Sequence, residues 1–201
     1  MKWLVIGGAG YIGSHVAQKL LESGEEVVVL DNFSNGNRRR LAENVHIISG
    51  DIRDSDAIKK ILNKESIAGI MHLAALKSPG DSFLFPNEYN DVNVNGTGTI
   101  LRAAIRHNVQ WFIQSSTAAI YGDKNANPVK ENGKLKPISP YGKTKLDAEL
   151  LLNSAIAESQ IIGCSLRFFN VVGSIDTNKR DKSELNLFPS VIRSIETGQP
   201  F

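Results

Sequence analysis

The chain has 201 residues, of which 41% are hydrophobic and 22% are charged, and its net charge is +2. This composition is typical of a globular domain, and it excludes both a strongly basic nucleic-acid-binding protein and an acidic disordered tail. The single cysteine, Cys164, excludes an internal disulfide, and the sequence shows neither an apolar run of ~18 residues nor a secretory signal, so we expect a cytoplasmic protein.

Six short apolar runs alternate with longer amphipathic segments along the chain. The runs are rich in Val, Ile and Leu without clean alternation, which is typical of strands buried on both faces of a parallel sheet. They cover residues 2–6, 26–30, 45–49, 68–73, 110–115 and 161–168. Helices are predicted over residues 12–21, 54–63, 86–107, 141–159 and 187–197. The alternation predicts an α/β fold with a doubly wound parallel sheet.

Several local features refine this prediction. The second helix is expected to have Asp54 or Ser55 as its N-cap, and the long third helix to kink near Gly96 and Gly98. Cys164 lies in an apolar strand and is expected in the core. Residues 122–140 and 173–186 are polar and without an apolar period, and irregular connections of such length are often functional.

A glycine-rich loop separates the first predicted strand from the first helix. Residues 7–13 read Gly-Gly-Ala-Gly-Tyr-Ile-Gly, which places glycines at 7, 8, 10 and 13. In dinucleotide-binding folds such glycines allow a tight turn, close approach of a pyrophosphate and close packing of the helix on the sheet. The N-terminus of the helix supplies N–H donors to the anion. With a strand before and a helix after, Gly7, Gly8, Gly10 and Gly13 predict a dinucleotide site.

The second predicted strand ends at an acidic residue, Asp31, 18 residues after Gly13. A carboxylate in this place accepts hydrogen bonds from ribose hydroxyls and repels a 2′-phosphate, which favours NAD over NADP. The nearby Arg38 leaves a contact with a 2′-phosphate open. The alternative interpretation is a glycine-rich turn with a capping aspartate.

Polar and small residues follow the other predicted strands, where ligands of open parallel sheets bind. Asp51 follows the third strand, although it is also a candidate cap for the next helix. Small side chains at Ala74 and Ala75, after Leu73, allow a cofactor to pass close to the backbone, and Ser115 ends the fifth strand. His72 is more typical of a packed core histidine than of a catalyst. The histidines show no metal-ligand spacing, so no metal site is expected.

Tyr141 and Lys145 are spaced i, i+4 and therefore share one face of the fourth major helix. A tyrosine pKa near 10 is too high for a base at neutral pH, and a nearby lysine cation lowers it. The pair is thus suited to removing a proton from an alcohol, with the Thr117 hydroxyl donating to the developing ketone oxygen. For Tyr141 taken alone, the alternative interpretation is an aromatic residue of the core at the start of a helix.

Nine segments together resemble a known family over the whole chain. They are VIGGAGYIGSH (5–15), LDNFSNG (30–36), GDIRD (50–54), MHLAALKSPGDS (71–82), DVNVNGT (91–97), FIQSSTAAIYGD (112–123), PYGKTK (140–145), LRFFNVVGS (166–174) and NLFPSV (186–191). The chain resembles the extended short-chain dehydrogenases/reductases, within their group of NAD-dependent sugar epimerases and dehydratases. The resemblance implies epimerisation of a nucleotide sugar at C4, as between UDP-glucose and UDP-galactose, through a 4-keto intermediate.

The resemblance also assigns site residues. The residues implied to contact NAD are Tyr11, Ile12, Asp31, Asn32, Ser34, Asn35, Asp51, Ile52, Ala74, Lys77, Asn93, Tyr141, Lys145 and Phe169. Those implied to contact the UDP-sugar are Lys77, Thr117, Tyr141, Asn170, Asn186 and Leu187. Residues 1–172 are expected to form the NAD-binding domain, and 173–201 the beginning of a substrate-binding region. A homodimer through the helices at 86–107 and 141–159 is the implied assembly.

Departures from the family pattern leave alternatives open. The dehydratases of the group carry Asp-Glu directly after the strand-end threonine, where this chain has Ala118 and Ala119, so dehydration is disfavoured. Residues 78–81 and Leu185 differ from the usual epimerase residues, which opens the possibility of another nucleotide sugar. The chain is also short for the family and is expected to be truncated at its C-terminus. It is therefore either a nucleotide-sugar epimerase or an NAD-binding half-enzyme that is inactive alone.

Overall fold

The computed structural model describes residues 1–123, 128–174, 176–181, 183 and 186–200, and it contains one six-stranded sheet. The strands are β1 (Lys2–Ile6), β2 (Glu26–Asp31), β3 (His46–Ser49), β4 (Gly69–His72), β5 (Trp111–Thr117) and β6 (Ile162–Phe168). They run parallel in the order β3-β2-β1-β4-β5-β6. This order confirms the doubly wound α/β fold, and it places a ligand crevice where the order reverses, between β1 and β4.

Seven helices connect the described strands or follow them. They are α1 (Tyr11–Glu22), α2 (Ser55–Lys64), α3 (Pro79–Leu84), α4 (Pro86–Asn90), α5 (Gly96–Arg106), α6 (Pro140–Glu158) and α7 (Leu187–Thr197). Asp54 caps α2 as predicted, because its carboxylate accepts from the backbone N–H groups of Asp56 and Ala57 at 3.0 Å. Ser139 caps α6 from its hydroxyl, and Pro140 fits the first helical position that follows.

The long helix predicted over residues 86–107 is present, but it is not one regular α-helix. Helical backbone continues from α4 to α5, but residues Asp91–Asn95 between them form a π-helical segment. The irregularity thus lies just before Gly96 rather than at the Gly96/Gly98 pair. The sequence prediction also missed α3, a single six-residue stretch that begins with Ser78 as its cap.

Apolar side chains fill both faces of the sheet, but not along its full width. The larger cluster packs β1, β2, β4 and β5 against α2, α5 and α6. A smaller cluster packs β1 and β2 against α1. On that second face the edge strand β6 leaves Ile162, Cys164 and Leu166 exposed. The expectation that Cys164 lies in the core is therefore wrong, because nothing in the described part of the chain covers this end of the face.

Two further observations concern the helices. No helix among the described residues is both long and apolar enough to cross a membrane. Helix α7 has no buried residue, although Ile192 and Ile195 give it an apolar side.

The burial of the core residues predicts that two truncations of apolar side chains differ sharply in their effect on the free energy of unfolding. Phe112→Ala removes a fully buried ring and is expected to lower the free energy of unfolding by about 3–5 kcal/mol. Ile162→Ala, on the neighbouring strand but 49% exposed, is expected to cost less than about 1 kcal/mol. Urea denaturation followed by circular dichroism measures both values, and equal losses would contradict this description of the core.

Candidate active site

The glycine-rich loop lies against the end of β4 with no room for side chains. Gly7 has a positive φ of 79°, and a Cβ atom there would lie 2.6 Å from the backbone nitrogen of Ala74. A Cβ atom on Gly13 would lie 2.1 Å from the carbonyl oxygen of Gly7. Gly10 is the N-cap of α1, and no side chain caps this end of the helix. The first N–H groups of α1 are therefore available to an anion held in the crevice.

Asp31 organises this loop from the end of β2. The carboxylate is buried, and its two oxygens accept from the backbone N–H groups of Ala9 and Phe33, each at 2.8 Å. Phe33 adopts a positive φ of 58° in the turn that follows. Each carboxylate oxygen has a second lone pair. Asp31 can thus hold the loop and still accept a hydrogen bond from a ligand.

A cleft of about 260 Å³ opens beside the loop at the carboxyl ends of the strands. Eight residues predicted from the sequence line it, namely Gly7, Asp31, Asn32, Ser34, Asp51, Ile52, Ala74 and Ala75. The other lining residues were not among the predicted site residues, and they are Ile6, Leu30, Gly50, Arg53, Leu76, Glu88 and Val92. The structure therefore gathers residues from four separate segments into one elongated crevice, as the strand-end argument predicted.

Asp51 is not a helix cap but the partner of Arg53. The guanidinium donates to both carboxylate oxygens at 2.8 and 2.9 Å, and also to Asp91 on the π-helical segment at 3.0 Å. These hydrogen bonds from Arg53 hold the pKa of Asp51 down at about 2. Asp51 is therefore an anion at the rim of the cleft at any physiological pH.

Asn93 is buried and fixes the segment after β4. Its amide makes two hydrogen bonds with the backbone of Leu76, at 2.9 and 3.0 Å, and a third with the Thr144 hydroxyl at 3.1 Å. It thus ties the wall of the cleft to α6. Leu73 lies just before this wall, and Lys77 just after it with its side chain exposed.

Thr117 and Tyr141 meet at the same edge of the sheet, beyond the residues that line the cleft. Thr117 is the last residue of β5, and Tyr141 lies in the first turn of α6. The Thr117 hydroxyl accepts from the backbone N–H of Ala119 at 3.2 Å, and it hydrogen-bonds to the phenol of Tyr141. The edge of the Tyr89 ring packs against Tyr141 at 6.5 Å between ring centres. The phenol is thus held in place and connected to a second hydroxyl.

Lys145 lies one turn further along α6 and is almost completely buried. Its ammonium donates to the hydroxyl of Ser115 at 3.3 Å. Burial lowers the pKa of Lys145 to about 8, and the Glu149 carboxylate opposes this shift. Lys145 is therefore mostly charged at pH 7.

The electrostatic prediction for Tyr141 differs from what the structure shows. Burial raises the pKa of Tyr141, whereas the hydrogen bond from Thr117 lowers it in part. Lys145 does not contribute a lowering of comparable size, because its ammonium is directed to Ser115. The spacing placed both groups on one helix face, but it did not reveal how much desolvation opposes ionisation.

His72 is a structural residue, as the sequence indicated. It is 3% exposed, and burial lowers its pKa to about 3. Because the Thr97 hydroxyl donates to the carbonyl of Asn93 at 2.6 Å, His72 Nε2 is the donor in its 2.9 Å contact with Thr97. The neutral ring thus supports the π-helical segment from the end of β4.

The segment after β6 crosses the outer side of α1. The Tyr11 phenol donates to the carbonyl of Gly173 at 2.6 Å, and His15 contacts the Ser174 hydroxyl at 3.0 Å. The other predicted residues are placed as follows: Ile12 in the first turn of α1, Asn35 exposed in the turn after β2, Phe169 and Asn170 exposed after β6, and Asn186 and Leu187 at the start of α7. Leu185 lies outside the described residues.

Sequence reasoning missed a charged group behind the site. Glu149 on α6 and Arg167 on β6 form a buried ion pair at 2.8 Å. The signal was present for the first of these, because Glu149 follows Lys145 at i+4. No local pattern pairs it with Arg167, since the two residues meet only through the packing of α6 on the sheet.

The sequence matches a family model over almost its whole length. The match covers residues 3–201 and is to the NAD dependent epimerase/dehydratase family.

Named relatives agree with this match. The chain is 38% identical over 201 residues to a UDP-glucose 4-epimerase of Lactobacillus helveticus, which covers 98% of this chain and 61% of the relative. A UDP-glucose 4-epimerase of Thermotoga maritima, solved with UDP-glucose, has a TM-score of 0.84 at 37% identity over 86% of this chain and 57% of its own. A UDP-glucose 4-epimerase of Brucella ovis, solved with NAD, has a TM-score of 0.81 at 36% identity over 84% of this chain and 52% of its own. The chain thus spans little more than half the length of these relatives.

The glycine-rich loop predicts a strong position dependence of glycine substitutions. In Gly13→Ala the new methyl meets backbone atoms of Gly7 and Gly8 that cannot move independently, so we expect unfolding to become easier by at least about 2 kcal/mol. Gly80→Ala meets only the Ser78 hydroxyl, at 3.9 Å, and is expected to change stability by less than about 0.5 kcal/mol. Thermal denaturation compares the two variants. A Gly13→Ala protein as stable as the control would disprove the close packing at this turn.

Proposed function

Because the chain belongs to the NAD dependent epimerase/dehydratase family, we propose that it binds NAD and carries the catalytic groups for epimerising a nucleotide sugar at C4. UDP-glucose and UDP-galactose are the proposed pair. The single observation that supports this most is the Thr117–Tyr141 hydroxyl pair, with Lys145 one turn away, at the same edge of the sheet as the crevice beside the glycine-rich loop. A different nucleotide sugar is the nearest alternative substrate.

The residues of the crevice fit NAD. The turn at Gly7 leaves its backbone open where any side chain would meet Ala74, which suits the close approach of a pyrophosphate. Gly10, whose own N–H donates to the carbonyl of Gly7 at 3.2 Å, precedes the first turn of α1. In that turn Tyr11, Ile12 and Gly13 offer their N–H groups to the pyrophosphate. Asp31 retains lone pairs for the ribose hydroxyls of the adenosine half. Its negative charge disfavours a 2′-phosphate, and Arg38 lies on an exposed turn.

The remaining NAD contacts are proposed from the resemblance. They are Asn32, Ser34, Asn35, Asp51, Ile52, Leu73, Ala74, Ala75, Lys77, Asn93, Ser115, Tyr141, Lys145 and Phe169. Asn93 also holds the backbone of Leu76 in place, and its amide oxygen keeps one lone pair beside the hydrogen bond from Leu76. When bound, NAD supplies reversible hydride exchange at the sugar C4.

Tyr141 is proposed to take the proton from the 4-hydroxyl and later to return it. The phenol is connected to the Thr117 hydroxyl, which can donate to the sugar oxygen while that oxygen becomes a ketone. Because burial raises the pKa of Tyr141, the phenolate requires a neighbouring positive charge. The oxidised nicotinamide would supply one when bound, whereas Lys145, whose ammonium is directed to Ser115, contributes less.

The same residues argue against elimination of water. A dehydratase needs an acid to protonate the leaving hydroxyl, and Ala118 and Ala119 follow Thr117 in this chain. On the sugar-nucleotide side we propose Lys77, Thr117, Tyr141, Asn170, Asn186 and Leu187 as contacts. Residues 1–172 are then the NAD-binding domain, and 173–201 belong to a substrate-binding region.

A second candidate function is supported by the exposed apolar surfaces. Apolar side chains are exposed on the face of β6 and on the apolar side of α7. On this alternative the chain is an NAD-binding half-enzyme that does not turn over a UDP-sugar alone.

For assembly we propose a homodimer through α5 and α6, which expose Ile105 and Leu150. The proposed location is the cytoplasm, which suits both a free cysteine and an enzyme that acts on nucleotide sugars.

If Tyr141 is the base, removal of its phenolic oxygen should greatly reduce the epimerase activity. Tyr141→Phe removes the phenolic oxygen but keeps the ring against Tyr89, so activity should fall by more than about 10²-fold while NAD still binds. Conversion of UDP-galactose to UDP-glucose measures the rate, and calorimetry measures NAD affinity. The control is Ser154→Ala, which removes an exposed hydroxyl from the same helix. Comparable activity in Tyr141→Phe and the unchanged protein would rule out Tyr141 as the base.

A single experiment separates the two candidate functions. The purified chain is incubated with NAD and UDP-galactose, and the absorbance at about 340 nm and the sugar products are followed. Product formation supports the epimerase. Binding of NAD without reduction or product supports the half-enzyme. Failure to bind NAD at all contradicts both.

A further inference from the structure

Arg167 joins four separate parts of the catalytic region. Its Nε and Nη2 atoms donate to the two carboxylate oxygens of Glu149 at 3.0 and 2.8 Å. Its Nη1 atom donates to the Tyr121 phenol at 2.8 Å and to the backbone carbonyl of Glu131 at 2.7 Å. The guanidinium also stacks over the Tyr121 ring at 5.1 Å. One side chain of β6 thus connects α6, the turn after Thr117 and the loop before α6.

Glu149 has a second effect, because it lies one turn beyond Lys145. Its side chain is 5% exposed in the ion pair, so its charge acts through a dry environment where electrostatic interactions are strong. Lys145 is itself buried, and its one described hydrogen bond is to the neutral hydroxyl of Ser115. A buried ammonium with a neutral partner stays charged only if a negative charge is near.

From this geometry we propose that Glu149 and Arg167 are positioning residues for the reaction: the pair fixes α6 relative to Thr117, and the Glu149 carboxylate keeps Lys145 protonated in its buried place. The inference rests on the proposed function, since it assumes that Lys145 acts on bound NAD. Neither residue touches the cleft. Both act through Tyr141 and Lys145, which they hold in register with β5.

The charged and titratable groups around Lys145 leave Glu149 as its source of negative charge. His72 faces it from β4, but its pKa of about 3 keeps it neutral. Tyr141 precedes it on α6 and is neutral because burial raises its pKa. Arg167 is positive and already engaged by Glu149. Removing the Glu149 charge therefore lowers the pKa of Lys145 below its present value of about 8.

The test is the pH dependence of NAD affinity, measured by calorimetry between about pH 6 and 9.5. Loss of the Lys145 charge weakens binding as pH rises, so the unchanged protein should show an alkaline limb with a midpoint near 8. In Glu149→Gln the limb should move to lower pH by about one unit. Glu158→Gln makes the same charge change at an exposed site on the same helix, and the limb should not move. Lys145→Met should show no such limb.

The clamp itself is tested through the loop before α6. Arg167→Lys keeps a cation but loses the fork that holds Glu149, Tyr121 and Glu131 together. Trypsin should therefore cut after Lys130 and Lys134 several-fold faster, while the NAD limb stays near that of the unchanged protein. Cleavage at the original rate would overturn the clamp.

The remaining outcomes are also decisive. If Glu149→Gln binds NAD more weakly at every pH but the alkaline limb of the affinity does not move, Glu149 has only a structural role. That result would overturn the proposal. If Glu149→Gln does not fold, the neutral pair Glu149→Gln/Arg167→Gln carries the same test without an unpaired buried charge. Absence of NAD binding in the unchanged protein would refute the proposed function instead, and the trypsin result would still judge the clamp.

Discussion

At the first turn of α1 the backbone of Gly13 lies so close to Gly7 that a methyl group would come within 2.1 Å of a carbonyl oxygen. This contact sets the height of α1 above β1 and leaves its N–H groups pointing past the strand end. The parallel sheet then determines the rest. Since all six strands run in one direction, their carboxyl ends meet at one edge, and Asp31, Asp51, Ala74 and Thr117 reach it from four different strands. The crevice is a consequence of backbone packing before any side chain contributes.

Desolvation dominates the chemistry beside the crevice. Tyr141 and Lys145 are buried, and burial acts on them in opposite ways that both favour neutrality: it raises the pKa of the phenol and lowers that of the ammonium. At pH 7 the phenol is neutral, whereas Lys145, with a pKa of about 8, is still mostly charged. On the proposed function, Lys145 must keep this charge to act on bound NAD. This requirement gives the buried Glu149 carboxylate a reason to be where it is, beyond its ion pair with Arg167.

The sequence predicted most of the fold and the ligand edge of the site, because both follow from local patterns. Glycine spacing, buried apolar runs and the i, i+4 relation of Tyr141 and Lys145 are short-range features that survive folding. The errors have long-range causes. Cys164 was placed in the core because its strand is apolar, but whether a strand face is covered depends on what packs over it. The π-helical segment at Asp91–Asn95 and the Glu149–Arg167 pair depend on contacts between distant segments, which no window of the sequence contains.

The exposed apolar surfaces of β6 and α7 are relevant to how a nucleotide sugar would be held at the site. A nucleotide sugar must be held with its C4 beside Tyr141, and that needs walls on the side of the crevice away from the sheet. The described chain offers Lys77 and the segment after β6 on that side, with Phe169, Asn170 and Leu187 exposed. Helix α7 exposes Ile192 and Ile195 on its apolar side. The described residues thus provide more of the NAD side of the site than of the sugar side. On physical grounds, binding of the dinucleotide is the better supported half of the proposed function, and turnover depends on what covers these surfaces.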